Sequence, residues 1–417
     1  MFVELENIDL TKIKFFIVGT GPASYCVAKK LEEKKISCLM IEAGDIEYSD
    51  ESQEYYEGET EGNNAIISLS GSRLRQYGGT SGHWSGLCRT LDSYDFKNWT
   101  IDKEELTPYE KQTLQILNFK TNFLKDQDID PYIKLINFKR SENTFRINSE
   151  KNLKSIKDSI YINVILNSYV GNIYSENNEV KKIEIYNSKK KIFNKINVQN
   201  LILGCGAIEN SRILLFNKKK NNLNFLNDNV GKYFLLHPHS NCGIGLAKFT
   251  EIKETLNPDY NTEDAYFLAP TEKFLFEKNV NNCAVRIMEY TNISKDKEFI
   301  RDLICISPKI GEGILRLFGE KETCSGIKLF SAWEQNSKYD NEIMLSKVNS
   351  DVIGIPKVVV KSNFGVKTKK NLSIFLNYLS GYFVDLGLGS IGINNELLEN
   401  NSIFSEKFYS GNHHMGG

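Results

Sequence analysis

The chain has 417 residues, of which 41% are hydrophobic, and its 52 basic and 53 acidic side chains leave a net charge of −1. This composition supports two domains or one elaborated domain, and the balanced charge provides no field that would favour nucleic acid or an anionic membrane surface. Because we find no signal peptide, no membrane-spanning apolar run and no C-x-x-C pair among the eight cysteines, we expect a cytoplasmic protein without a disulfide framework or a zinc site.

The stretch from Lys14 to Gly44 combines an apolar strand, a glycine turn and an amphipathic helix. Residues 15–18 are typical of a strand buried on both faces, and they run directly into Gly19-Thr20-Gly21-Pro22-Ala23-Ser24. Gly19 can adopt the positive φ of a tight turn, and Gly21 lets a pyrophosphate approach the backbone. Pro22 suits the first turn of a helix, whose free N–H groups bind phosphate, and Ser24 is small enough to pack on the strand. The pattern predicts a dinucleotide site.

A second apolar run, Cys38 to Ile41, ends at Glu42 and Ala43. An acid at the tip of this strand can accept hydrogen bonds from a ribose 2′-hydroxyl, which strengthens the dinucleotide interpretation. The same charge would repel the 2′-phosphate of NADP, but it does not distinguish NAD from FAD. An ordinary βαβ unit with a glycine turn is the alternative.

An acidic segment, residues 45–70, leads into a glycine-rich stretch between Gly71 and Trp99. Its glycines alternate with polar, aromatic and cationic side chains, among them Arg73, Arg75 and Arg89. This composition disfavours regular secondary structure, whereas a loop can lay its backbone N–H groups and a cation against a large flat ligand. We therefore predict that the stretch binds a ligand, and a mobile glycine loop is the alternative.

Within this stretch, the order Gly78-Gly79-Thr80-Ser81, His83-Trp84 and Gly86 resembles the flavin-contacting loop of the glucose–methanol–choline (GMC) family of flavoprotein oxidoreductases. The resemblance implies FAD as the dinucleotide. It is most similar to the branch that includes pyranose oxidase, in which the histidine bonds covalently to the flavin ring. His83 is therefore the candidate for a covalent link, and a hydrogen bond to the flavin is the other role that imidazole chemistry permits.

Short strand-like runs follow between residues 161 and 203, and the last of them enters a second glycine turn, Gly204-Cys205-Gly206. In the GMC pattern, Val170 matches the position whose backbone meets the adenine, Cys205 replaces an alanine, and Asn210 lies at the start of the next helix. Without the resemblance, these residues could equally be a buried valine, a small buried filler and a helix cap.

From residue 245 to residue 400 the chain alternates between strand-like runs and one helical pattern, Thr368 to Leu379, and it resembles the family's substrate domain. Trp333 and Gln335 could line a pocket over the flavin or belong to the core of a sheet. His237, in the sequence His237-Pro238-His239, matches a family position that is mostly a packing corner.

The final residues, Gly411-Asn412-His413-His414-Met415-Gly416-Gly417, resemble the family motif that carries the catalytic histidine, and their spacing identifies His413 as that residue. GMC enzymes oxidise an alcohol by hydride transfer to flavin N5 while a base takes the hydroxyl proton, which an imidazole with a pKa near roughly 6.5 can do. Adjacent histidines could also be surface residues or adventitious metal ligands. Because the family continues for a few dozen residues, we expect this sequence to be truncated and its flavin site incomplete.

The resemblance implies an α/β fold with three units. A Rossmann-type FAD-binding domain with a three-layered parallel sheet is expected at residues 1–245, with polar excursions at 45–70 and 110–150. An α+β substrate domain built on an antiparallel sheet is expected at 246–404, and a returning segment of the FAD domain at 405–417. The expected cofactor-binding residues are Gly19, Gly21, Pro22, Ala23, Ser24, Glu42, Ala43, Arg75, Gly78, Gly79, Thr80, Ser81, His83, Trp84, Val170, Cys205, Gly206 and Asn210.

The function that the resemblance implies is oxidation of a C–OH group in a sugar- or polyol-like alcohol, with FAD as cofactor, no metal, and neither nucleic acid nor membrane as partner. The sequence does not identify the electron acceptor, so it does not distinguish an oxidase from a dehydrogenase. One alternative is an NAD-dependent dehydrogenase, which would leave the glycine-rich stretch and the terminal histidines without a role. The other is a flavin-binding fragment that lacks catalytic activity.

Overall fold

The computed structural model describes residues 1–62, 68–117, 119, 125–141, 146–247, 265–289, 327–405 and 408–417. Its α-helices in these ranges are α1 (Pro22–Glu33), α2 (Asp50–Gln53), α3 (Lys103–Ile116), α4 (Glu150–Lys157), α5 (Ala207–Lys220), α6 (Glu272–Lys278), α7 (Val366–Asp385) and α8 (Asn395–Leu398). Its strands are β1 (Phe15–Val18), β2 (Cys38–Ile41), β3 (Gly58–Glu61), β4 (Leu87–Cys88), β5 (Gln127–Asp130), β6 (Ile133–Arg140), β7 (Ile162–Ile165), β8 (Ser168–Glu176), β9 (Glu179–Asn187), β10 (Ile192–Asn197), β11 (Asn200–Leu203), β12 (Pro238–Ala247), β13 (Ala265–Pro270), β14 (Cys283–Glu289), β15 (Ile327–Trp333), β16 (Glu342–Ser350), β17 (Pro356–Lys361), β18 (Gly389–Ile393) and β19 (Tyr409–Ser410). None of the helices in the described ranges has the length and apolarity to cross a membrane.

A parallel sheet in the order β11-β1-β2-β7 forms the centre of the N-terminal half. Its short apolar strands are buried on both faces. Ile17 and Met40 pack with α1 on one face, whereas Phe16 and Leu39 pack with β8, β9 and α5 on the other. The antiparallel meander β10-β9-β8 therefore covers the second face. The sheet is therefore covered on both faces, as the apolar runs predicted.

The largest sheet is antiparallel, and in the described residues its order is β18-β12-β15-β14-β13-β6-β4, with β19 on β12 and β5 on β6. One face packs against α7, where Phe375 and Leu379 are fully buried. Trp333 belongs to this core, since its indole Nε1 donates to the carbonyl oxygen of Thr368 at 3.0 Å. Gln335 is also buried and bonds to backbone groups. Both residues thus take the core alternative, and the two sheets together confirm the predicted α/β fold class.

Two segments interpreted as polar excursions contribute strands to sheets. Residues 45–70 contain β3, which pairs in parallel with β17 in the small sheet β16-β17-β3. Residues 110–150 contain β6, whose residues 133–138 pair with β13. Lys134 makes the sequence of this strand look polar and exposed. The residue is nevertheless buried, because its ammonium group pairs with Asp92 and Asp126.

Candidate functional site

A cavity of about 300 Å³ lies where β1, β2 and β11 end and their turns meet. This is the edge of a parallel sheet at which ligands bind in open α/β folds. Its lining includes, from the predicted cofactor set, Gly19, Gly21, Pro22, Ala23, Glu42, Ala43, Arg75, Gly79, Thr80, Val170, Cys205 and Gly206. The other predicted residues, outside this lining, are Ser24, Gly78, Ser81, His83, Trp84, Asn210 and the predicted base His413. Lining residues that the sequence analysis did not predict include Thr20, Arg73, Tyr169, Glu209, Asn412 and His414.

The first glycine turn is shaped by its contact with the second. Gly19 has φ +92°, and a Cβ there would lie 2.7 Å from the carbonyl oxygen of Gly204. Gly21 is the N-cap of α1, and a Cβ there would meet only that same oxygen, at 4.0 Å. Ser24 donates its hydroxyl to Gly204 at 3.3 Å, so it joins the two turns rather than facing the cavity. The space in front of Gly21 and the free N–H groups of α1 is therefore open to a ligand.

Glu42 lies at the end of β2 and is almost fully buried. One carboxylate oxygen accepts from the Thr20 hydroxyl at 2.5 Å, and the other accepts from the backbone N–H of Gly44 at 2.8 Å. Burial raises the pKa of Glu42, and these two hydrogen bonds oppose that effect. Because two carboxylate oxygens offer about four acceptor positions, the group retains capacity for ribose hydroxyls.

Thr20 also ties the glycine-rich loop to the first turn, a role that its place between two glycines did not reveal. Its hydroxyl oxygen accepts from the backbone N–H of Gly78 at 2.8 Å while the hydroxyl donates to Glu42. A Cβ on Gly79 would lie 3.7 Å from the Cα of Gly21, so the loop backbone runs close to the turn. The loop that resembles a flavin-contacting segment is thus held beside the first glycine turn.

The remaining loop residues divide into supports and exposed groups. The Ser81 hydroxyl donates to the carbonyl of Gly78 and accepts from the backbone N–H of Ile147, which pins the loop. Trp84 packs against the core cluster beneath α1. His83 is exposed. Within the loop, Gly79 and Thr80 line the cavity, while Ser81 and Trp84 hold them in place.

The second glycine turn closes the opposite wall. Gly206 has φ +82°, and no atom lies within 4 Å of the position of a Cβ, so its backbone is open to the cavity. Asn210 caps this turn, because its side-chain oxygen accepts from the backbone N–H of Cys205 at 3.0 Å. Burial raises the pKa of the Cys205 thiol, so the thiol stays neutral, as expected of a small filler rather than a nucleophile.

The arginines of the glycine-rich stretch have different partners. Arg75 lies over the rings of Tyr55 and Tyr169, at 4.2 and 5.1 Å from the two centroids. Arg89 is held by two aspartates. The Arg73 guanidinium nitrogen Nη1 lies 3.6 Å from the carboxylate of Glu209, a separation too long for a hydrogen bond, and it is buried without one. Arg73 and Arg75 both line the cavity, so this stretch can offer two cations to a ligand.

Two further buried polar atoms around the cavity, the Tyr169 hydroxyl and Nε2 of His414, have no hydrogen-bond partner among the described residues. Buried polar atoms are nearly always hydrogen-bonded in folded proteins, so these two atoms can bind polar groups of a ligand. Burial, followed by the nearby charge of Arg73, lowers the pKa of His414 to about 4. The imidazole is therefore neutral at pH 7.

His413 contacts His237, which in turn contacts His239 of β12. Nδ1 of His413 lies 2.5 Å from Nε2 of His237, and Nδ1 of His237 lies 2.9 Å from Nε2 of His239. Burial and the neighbouring imidazoles lower the pKa of His237 to about 2 and that of His239 to about 4, and burial lowers the pKa of His413. His237 therefore does more than fill a corner. Among the described residues, no group of three or more His, Cys, Asp or Glu is arranged to hold a metal ion.

Comparisons with known proteins identify the fold. No protein-family model matches the sequence, and no curated protein matches it. Among solved structures, pyridoxine 4-oxidase from Mesorbium loti, a GMC family oxidoreductase, is similar with a TM-score of 0.53 and 11% sequence identity, over 96% of this chain and 88% of that chain. At this identity the likeness concerns the fold alone. The parallel sheet beside a large antiparallel sheet is the GMC oxidoreductase fold.

Proposed function

We propose that the protein is an FAD-dependent oxidoreductase that oxidises the C–OH group of a small alcohol or sugar. The observation that carries the proposal is one cavity whose lining joins the first glycine turn, the acid after β2, the glycine-rich loop and the terminal segment at Asn412 and His414. These parts are distant in the sequence, and a dinucleotide is long enough to contact all of them. The GMC fold and the loop resemblance favour FAD over NAD.

The walls of the cavity carry groups suited to the ADP half of FAD. The open backbone at Gly21 and the N-terminus of α1 would hold the diphosphate, and Glu42 would accept the hydroxyls of the ribose. Val170 and Cys205 would flank the adenine. Nη1 of Arg73, which has an ion pair with Glu209 but no hydrogen bond within the described residues, would supply a cationic donor for the phosphates, whose oxygens match the guanidinium fork.

When bound, FAD supplies the acceptor for the hydride that leaves the alcohol carbon. The chain itself supplies the base, and we assign that role to Nε2 of His413, which would take the hydroxyl proton. Nε2 is free to accept only if the proton of the neutral ring sits on Nδ1, and that proton would then be donated to Nε2 of His237 at 2.5 Å. His237 is thus a positioning residue that selects the basic tautomer of His413.

Titration of the purified full chain with FAD tests the proposal. We expect FAD to bind in a 1:1 complex, to be weakened by Glu42→Gln, and to lose its visible absorbance when a substrate alcohol is added under anaerobic conditions. NAD⁺ in place of FAD should not bind with comparable affinity. Absence of FAD binding would overturn the proposal, and binding without bleaching by any of a broad panel of alcohols and sugars would support the non-catalytic alternative.

The linkage between His83 and the flavin is tested on the denatured complex. If the bond is covalent, the flavin colour stays with the unfolded wild-type polypeptide and is released from His83→Ala. Release of the colour from both proteins would leave His83 with at most a hydrogen bond. His83 is exposed at the surface of the loop, so the alanine variant should fold like the wild type.

A further inference from the structure

The two faces of the large antiparallel sheet have different surroundings. Side chains alternate between the faces along each strand, so Val285 and Leu329 share the face that packs on α7, and Arg286 and Phe330 share the other. His239 of β12 belongs to this second face, because its ring lies against that of Phe330, with the centroids 5.4 Å apart. The second face therefore carries the histidines that accompany the proposed base.

The register of the strands places Arg286 close to those histidines. His239 pairs with Ala332, which pairs with Ala284, and Arg286 is two residues further along the same strand as Ala284. With strands spaced by about 4.8 Å and residues by about 3.4 Å, the Cα atoms of His239 and Arg286 are roughly 12 Å apart. Two side chains of this separation on one face can contact opposite ends of a small molecule.

The far edge of the same sheet meets the glycine-rich loop. Arg140 of β6 donates to the carbonyl oxygen of Ser85 at 2.9 Å, and β4, which follows the loop, pairs with the end of β6. The face that carries Arg286 thus extends from the proposed flavin loop at one edge to the three histidines at the other. A substrate placed between flavin and base would lie against this face.

Arg286 is the half-buried cation of this face that has no hydrogen bond or ion pair in the described part of the chain. By contrast, the buried Arg212 pairs with Asp351 at 2.7 Å and the buried Lys134 with Asp92 at 2.9 Å. The strand neighbour of Arg286 on β15 is the aromatic Phe330, not an acid. A guanidinium in such a setting fits a planar anion, because its fork of N–H donors matches the oxygens of a carboxylate or phosphate.

We propose that Arg286 binds an anionic group of the substrate, so that the oxidised compound is an alcohol bearing a carboxylate or a phosphate. This inference rests on the proposed function and specifies its substrate class. The anion lies at Arg286 and the hydroxyl-bearing carbon lies toward His413. Neutral sugars and polyols of the same size would bind without this contact.

The test measures anaerobic flavin reduction with matched substrate pairs, namely hydroxy carboxylates with their methyl esters, and alcohol phosphates with the unphosphorylated alcohols. For the preferred anionic member, kcat/KM should exceed that of its neutral partner at least tenfold. Arg286→Met should lower kcat/KM for the anion at least tenfold, mostly through KM, and change that for the neutral partner less than threefold. Arg286→Lys should recover part of the loss. Activity confined to one pair identifies the anion.

Lys347→Met, which removes an exposed positive charge from β16 in a different sheet, is the matched control and should leave the preference unchanged. Equal kcat/KM for neutral and anionic partners in the wild type would overturn the inference while the oxidoreductase function stands. Equal losses for both partners in Arg286→Met would also overturn it, since they indicate a structural role. If FAD fails to bind the wild type, the proposed function and this inference fail together, and the FAD titration reveals that outcome separately.

Discussion

Replacing Gly21 by alanine tests whether a diphosphate lies against the first turn. Gly21 has φ −63° and ψ 176°, a conformation open to alanine, and the added Cβ would meet only the carbonyl oxygen of Gly204 at 4.0 Å. The folded chain should therefore accept the methyl group. At an N-cap position, alanine in place of glycine costs about 1 kcal/mol in the free energy of unfolding, which a folded domain tolerates.

The same methyl group would occupy the space through which a phosphate reaches the N–H groups of α1. Losing one hydrogen bond to a charged group costs about 1.5–3 kcal/mol. Since each 1.4 kcal/mol corresponds to a tenfold change in the dissociation constant, we expect Gly21→Ala to raise the Kd for FAD about 10- to 100-fold. The loss of FAD affinity should appear even though the variant stays folded, so a change in stability cannot explain it.

The assay is a titration of flavin fluorescence at constant ionic strength, with circular dichroism to check folding. Gly381→Ala is the matched control, because Gly381 is exposed on α7 and its Cβ would meet no atom within 4 Å. That control should bind FAD like the wild type and gain up to about 1 kcal/mol of stability from helix propensity. If folded Gly21→Ala binds FAD as tightly as the wild type, the diphosphate does not lie at this turn.

Four further predictions concern stability and catalysis. Thr20→Val should lower the free energy of unfolding, measured by urea denaturation, by about 1–3 kcal/mol, because it leaves the buried N–H of Gly78 without an acceptor. The control Thr11→Val, at an exposed position, should change this free energy little. Asp351→Asn should lower the free energy of unfolding by about 1–3 kcal/mol, because the buried Arg212 loses one of its two carboxylate partners and keeps Glu209 at 3.0 Å; an unchanged denaturation midpoint would contradict the ion pair's importance. His413→Asn should lower kcat about 10²- to 10⁴-fold. In the wild type, activity should be present at neutral pH and decline only as pH falls through the lowered pKa of His413, so an acid limb above pH 6.5 would argue against this base.

The parallel sheet was predictable because the apolar composition of its strands shows that they are buried. β1 and β2 are apolar runs because both of their faces are covered, and the structure gives them the predicted bounds, Phe15–Val18 and Cys38–Ile41. β6 was not predictable in the same way. Its burial depends on Lys134, whose charge is compensated by aspartates from other segments, and such pairing leaves no local pattern.

A similar division holds at the candidate site. The turn glycines were predictable because a positive φ or a close approach of backbones is a property of the position itself, as at Gly19. The roles of Thr20 and His237 depend on partners 58 and 176 residues away in the sequence. Motif spacing indicates what a side chain can do, but only the fold decides which distant group it meets.

His413, His237 and His239 form a hydrogen-bonded chain of neutral rings. The direction of the hydrogen bonds along this chain decides which nitrogens are donors. The pKa of His237 is lowered to about 2 by burial and by its two imidazole neighbours, so the ring in the middle does not hold a second proton near neutral pH. Each ring then carries one proton, and both hydrogen bonds must point the same way along the chain. With donors pointing from His413 toward His239, Nε2 of His413 is a base; with the opposite direction, it is an acid. Proton uptake by His413 is therefore coupled to the tautomers of both sheet histidines, which explains why a neutral imidazole can take the positioning role that a carboxylate often has beside a catalytic histidine.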